Sequence, residues 1–138
     1  MKKIALMAVA FLLFGLASKA QCNKTIKWTA PKIEYIDTSG NVRSEDQIVT
    51  VTTGNGKVLV IAKNGEEEMK GDIANYSCNW NSTNGKMQFK SELTDKRGKL
   101  RHATITIESK EGKTTILMEA QEEQTKLRLP VDTYEAVN

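Results

Sequence analysis

Residues 47–70, QIVTVTTGNGKVLVIAKNGEEEMK, restrict the chain more than any other stretch. Two Asn-Gly pairs, Asn55-Gly56 and Asn64-Gly65, fall between runs rich in Val, Ile and Thr. A tight hairpin turn needs positive φ at its central residues, which Asn and Gly adopt at little cost, while β-branched side chains favour the strands on either side. The segment therefore predicts three antiparallel strands joined by two turns. Its middle strand, 57–63, is apolar on both faces, with Val58, Val60 and Ala62 against Leu59 and Ile61. A strand with one wet face alternates more cleanly, so this one is expected either to be covered on both sides or to meet a partner with its outer face.

The pattern extends in both directions. Residues 24–28 read as a short strand stopped by Thr29-Ala30-Pro31, because Pro31 lacks the amide that a central strand donates. Residues 32–37 alternate, Thr38-Ser39-Gly40-Asn41 is turn chemistry, and 42–46 fits either a loop or continued pairing. Gly71 marks a bulge or bend. Residues 72–80 resume as a strand on which, if it is regular, Ala74, Tyr76, Cys78 and Trp80 share a face. Residues 86–94 alternate, with Met87, Phe89 and Leu93 inward, and Asp95-Lys96-Arg97-Gly98 supplies a turn. Ala103, Ile105 and Ile107 form the next apolar face; Ile116, Met118 and Ala120 follow the Glu111-Gly112 turn. Residues 126–129 read as a closing strand, and Tyr134 is the one obvious anchor in the tail.

Eight or nine strands and no helical periodicity define an all-β fold. Sequential tight hairpins predict an antiparallel up-and-down meander closing into a barrel, since closure removes exposed edges; a β-sandwich is the alternative. Eight strands surround an interior that side chains fill or that holds one small ligand.

Residues 1–20 carry Lys2 and Lys3, an apolar run over 4–16 and a small-residue site at Ser18-Lys19-Ala20, the layout of a cleaved signal peptide. The run is short for a membrane span, and no later stretch approaches the length of one. The expected mature chain is residues 21–138, one exported domain, periplasmic or secreted. Of the 20 basic residues, Lys2, Lys3 and Lys19 lie in the leader, and none of the 17 acidic residues does, so the mature chain is neutral. Basic and acidic residues are interspersed along it, which argues against a nucleic-acid partner.

Both cysteines, Cys22 and Cys78, fall in the mature chain, and an exported compartment favours their pairing, worth about 4 kcal/mol on the chain-entropy account. Two independent thiols are a further alternative. In a third reading Cys22 is a lipoprotein cysteine, against which stand Lys19 and Gln21 in places that need apolar and small residues.

Residues with catalytic potential are few. His102 is the only histidine, which excludes a two-histidine zinc site, and no serine or cysteine motif accompanies it. Glu66-Glu67-Glu68 and Glu122-Glu123 place neighbouring carboxylates on opposite strand faces, a poor arrangement for paired acid–base work. No enzymatic activity, metal or cofactor is expected. Trp28, Tyr35, Tyr76, Trp80 and Phe89, with Val58, Val60, Met87 and Met118, are the candidate lining of a ligand pocket if they point into the barrel; the alternative is that they fill its core.

The start of the mature chain, Cys22-Asn23-Lys24-Thr25-Ile26-Lys27-Trp28, followed by the hairpin meander, resembles small exported bacterial lipocalin-like (calycin) domains. The family's first-strand motif is Gly-x-Trp; here Ile26 replaces the glycine before Trp28. The resemblance implies a basic side chain from the last strand laid over that tryptophan, with Arg128 as candidate, closing one barrel end by a cation–π contact. It also implies a small apolar ligand in the barrel. The alternative function is a structural or protein-interaction module of the cell envelope.

Overall fold

The computed structural model describes residues 22–81 and 84–137. The signal peptide expected over residues 1–20, with its cleavage site, lies outside the described residues. The strands are β1 (Thr25–Ile36), β2 (Val42–Gly54), β3 (Lys57–Ala62), β4 (Glu67–Trp80), β5 (Gly85–Asp95), β6 (Leu100–Lys110), β7 (Lys113–Ala120), β8 (Lys126–Val131) and β9 (Thr133–Val137). Each is antiparallel to its sequence neighbour from β1 through β8, and β8 returns to pair with β1. Eight up-and-down strands thus close a barrel. β9 continues the line of β8 along the same edge of β1, setting Tyr134 opposite Trp28.

Local chemistry sets the turns. Asn55 and Gly56, at φ 53° and 72°, form a two-residue turn between the paired Gly54 and Lys57, and Glu111-Gly112 repeats that conformation. The second Asn-Gly pair departs from the expectation. Ala62 pairs with Glu67 across a longer loop containing a single 3₁₀ turn, Lys63–Gly65. The Asp37 and Asp95 turns are built alike: each aspartate Oδ1 accepts two backbone N–H bonds at 2.9 Å, from Ser39 and Asn41 in one and from Arg97 and Lys99 in the other.

Two irregularities bend the wall. Strands 24–28 and 32–37, expected to be separate, are one strand running through Pro31. The missing Pro31 amide is absorbed by a register shift against β2 between Ala30 and Lys32, after which the inward positions move from Ile26, Trp28 and Ala30 to Ile33 and Tyr35. Residues 67–80 likewise form one strand through Gly71, where an added Cβ would lie 2.4 Å from the Glu92 carbonyl oxygen. The bulge itself lies farther on, between Ala74 and Ser77, with Asn75 at φ 52°. It breaks the regular strand on which Ala74 and Tyr76 were to share the face of Cys78 and Trp80.

Outward positions on β5 and β6 carry Lys, Gln, Glu, His and Thr, whereas inward positions are mostly apolar, with Ser91, Arg101 and Ser109 as exceptions. Among the described residues no helix is long and apolar enough to cross a membrane.

Candidate functional site: a cavity open at one end of the barrel

The two ends of the barrel are filled differently. At the end where β1 begins, Trp28 is fully buried, its Nε1 donates to Thr53 Oγ1 at 3.1 Å, and its ring lies 5.7 Å from that of Trp80 and 5.0 Å from that of Tyr134. Val58, Met87 and Phe89 complete this packed half. Cys22 and Cys78 are joined by a disulfide that spans 56 positions and packs against the same core. It excludes both the free-thiol and the lipid-anchored readings of Cys22.

The opposite end is hollow. A cavity of about 530 Å³ lies beneath the turns 63–66, 96–99 and 121–125. Ile33, Val49, Val60, Leu93, Met118 and Leu129 wall it. It exists because inward positions near this end carry Ala62, Ala103 and Ala120, too short to meet across the barrel. The volume falls within the range of small-molecule pockets, roughly 300–1,000 Å³.

Charged side chains ring the mouth. Arg101 is mostly buried there; its Nε donates to Glu123 Oε1 at 3.2 Å, and its Nη1 lies 3.7 Å from Asp95 Oδ2 and 3.8 Å from Met69 Sδ. Backbone N–H bonds, foremost that of Lys99, hold the Asp95 carboxyl below the ordinary range. Tyr35 sits at the rim under the Arg43 guanidinium, 4.4 Å from the ring centroid, and burial raises its phenol. Lys63–Glu67 at 2.9 Å and Lys126–Glu119 at 3.3 Å pair further carboxylates.

The candidate lining residues divide three ways. Tyr35, Val60 and Met118 line the cavity; Trp28, Val58, Trp80, Met87 and Phe89 fill the closed half instead. Tyr76 lies outside: it is 44 % exposed, and its hydroxyl donates to the Cys22 carbonyl at 2.8 Å, because the bulge turns it off the inner face. The stacking of Arg128 on Trp28 is not formed. Strand register places Arg128 opposite Glu34, about 20 Å along β1 from Trp28, and its Nε donates to Glu34 Oε1 at 2.8 Å. That bond lowers the Glu34 carboxyl. Tyr134 and Trp80 take the place at Trp28 that the resemblance assigned to an arginine.

The outer face of β3 presents Leu59 and Ile61, both half-buried, near Ile48 at 63 % exposure. Thr50 and Thr52 of β2 stand directly opposite the pair. His102 is on the outer wall, between Glu92 and Glu122, and does not enter the cavity. Among the described residues no group of three or more His, Cys, Asp and Glu side chains is placed to hold a metal ion.

Sequence reasoning missed Arg101, Met69 and most of the aliphatic wall. The signal for the wall was present: these are inward positions on the half of each strand next to the longer turns, where alanines cluster. Nothing in the sequence marked Arg101, which occupies an inward position that alternation assigns to an apolar residue. No family model, curated protein or solved structure matches the chain.

Proposed function

We propose that the protein is an exported, non-enzymatic carrier that binds one small apolar molecule in the open half of its barrel. The observation that carries this reading is the cavity itself: about 530 Å³, aliphatic walls and one charged mouth. Filled barrels of eight strands have no such space, and a soluble protein gains nothing in stability by leaving apolar walls unpacked. The lipocalin-like reading is supported by the closed eight-stranded architecture, and export is supported by the disulfide, which persists in oxidising compartments. A binding role over a catalytic one is supported by the separation of the two surfaces: the deep walls are aliphatic, and at the mouth Arg101 is engaged with Asp95 and Glu123, Glu67 with Lys63, Glu119 with Lys126, and Lys96 with the Gly65 carbonyl.

The test is titration with 1-anilinonaphthalene-8-sulfonate and with straight-chain fatty acids of increasing length. The expected result is saturable binding of one probe per chain, lost in Val60→Trp, whose indole occupies the cavity. Absence of saturable binding by the wild-type protein across the series would defeat the proposal. Intrinsic tryptophan emission is a poor reporter here, because Trp28 and Trp80 are packed in the closed half.

A further inference from the structure

The turn at 121–125 forms one side of the mouth, where Glu123 and Thr125 line the cavity. It is gripped by two consecutive residues of β6, which point to opposite faces of the wall as strand neighbours do. On the cavity side, Arg101 holds Glu123 at 3.2 Å. On the outer side, His102 holds Glu122 twice: ring Nδ1 lies 2.7 Å from Glu122 Oε2, and the His102 amide donates to Glu122 Oε1 at 2.7 Å. The Gln121 amide donates to the His102 carbonyl at 2.9 Å. The other ring nitrogen, Nε2, lies 3.5 Å from Glu92 Oε1 on β5. Farther along the outer face stand Lys90, diagonal to His102 on β5, and Glu119 on β7, which is paired with Lys126 at 3.3 Å. The inner grip is built on a guanidinium, the outer grip on an imidazole, the one side chain whose charge ordinarily changes near neutral pH.

We propose that His102 is a pH-dependent latch on the cavity mouth: the doubly protonated ring ties Glu122 and Glu92 together and holds the turn 121–125 against β6, and the neutral ring lets the turn open for ligand exchange. This rests on reading the cavity as a ligand site. The hydrogen bond to Glu122, followed by the charges of Glu122 and Glu92, raises the imidazole above its ordinary range, and the same bond lowers Glu122. The sign follows. A raised histidine contributes below its unfolded pKa and is lost as pH rises through its folded value; a lowered glutamate contributes above its unfolded pKa and is lost as pH falls through its folded value. The latch is therefore fully closed between roughly pH 4.5 and 6.5 and opens on the alkaline side as His102 deprotonates. A neutral ring still donates from Nδ1 to Glu122 but turns a lone pair from Nε2 toward Glu92, so the attraction of its positive charge for both carboxylates is lost together.

The experiment follows the His102 ring by NMR from pH 5 to 9 together with hydrogen exchange of the Gln121 amide, corrected for its intrinsic pH dependence, in the unliganded protein. Stopped-flow dissociation of 1-anilinonaphthalene-8-sulfonate is then measured over the same range. Protection of Gln121 is expected to fall roughly two- to five-fold along the His102 titration, and the probe's off-rate to rise by a similar factor, since exposed ion pairs contribute modestly. His102→Gln, which keeps a hydrogen-bonding group without the charge, should abolish the pH dependence of both while leaving the fold intact. Protection that is flat across the His102 titration, or a pH dependence retained in His102→Gln, overturns the latch. A protein that binds no probe but shows coupled protection overturns the cavity as a binding site and leaves the turn's response standing.

Discussion

Trp28 is the residue on which the closed half turns. Its indole is fully buried, hydrogen-bonded to Thr53 and flanked by Trp80 and Tyr134. Trp28→Ala is predicted to cost about 3–5 kcal/mol, the range for deleting a buried aromatic side chain, and to leave the Thr53 hydroxyl without its donor; urea unfolding measures this. A smaller probe of the same cluster is Gly85. A Cβ there would lie 2.2 Å from Trp80 Cδ2, so Gly85→Ala must displace the indole. The expected penalty is ~1–3 kcal/mol with an altered near-ultraviolet circular dichroism spectrum, and an unchanged spectrum would show that Trp80 does not sit over this glycine. The importance of Trp28 was legible in the sequence, but its partners were not. Whether a distant Arg128 or a tail Tyr134 reaches it depends on where the last strand divides, and Asp132, whose amide donates to Thr29 O, separates β8 from β9.

Strand β3 shows what alternation can and cannot say. Val58, Val60 and Ala62 face in and Leu59 and Ile61 face out, so the doubly apolar run follows the ordinary pleat with a half-buried outer side. Ile61→Thr is accordingly predicted to change stability by no more than about 0.5 kcal/mol, whereas Val58→Ala should cost about 1.5–3 kcal/mol; matched losses in chemical denaturation would contradict the assigned faces. The parity of β5, β6 and β7 was readable directly, because no irregularity interrupts their alternation. That of β1 and β4 was not. Pro31 and Gly71 announced disturbances, but the sequence did not show that strands continue through them, nor that the bulge at 74–77 would turn Tyr76 outward. Loss of the amide at Pro31 costs one ladder bond, which tertiary pairing on both sides of β1 outweighs.

At the scale of the whole molecule, the barrel is asymmetric: aromatic and disulfide-bound at one end, alanine-lined and hollow at the other. Cys22→Ala/Cys78→Ala is predicted to lower stability by about 2–4 kcal/mol while leaving probe affinity nearly unchanged, because the bridge and the cavity lie at opposite ends. Denaturation and binding isotherms of the same variant check both halves of that statement. The architecture was legible from turn chemistry and period-two patterning. The cavity was not, because hollowness is a matter of summed side-chain volume in three dimensions: of the aromatic residues that looked like a lining, Trp28, Trp80 and Phe89 supply the filling, and Ala62, Ala103 and Ala120, legible only as members of apolar faces, make the space. The described methionines provide the most direct test of the central claim. Met69 and Met118 line the cavity, and Met87 is buried in the closed half. In a protein labelled with [¹³C-methyl]methionine and titrated with a saturating apolar probe, the Met69 and Met118 methyl resonances should move together and saturate while Met87 holds still. Stationary Met69 and Met118 signals, or movement confined to Met87, would contradict a ligand site in the open half of the barrel.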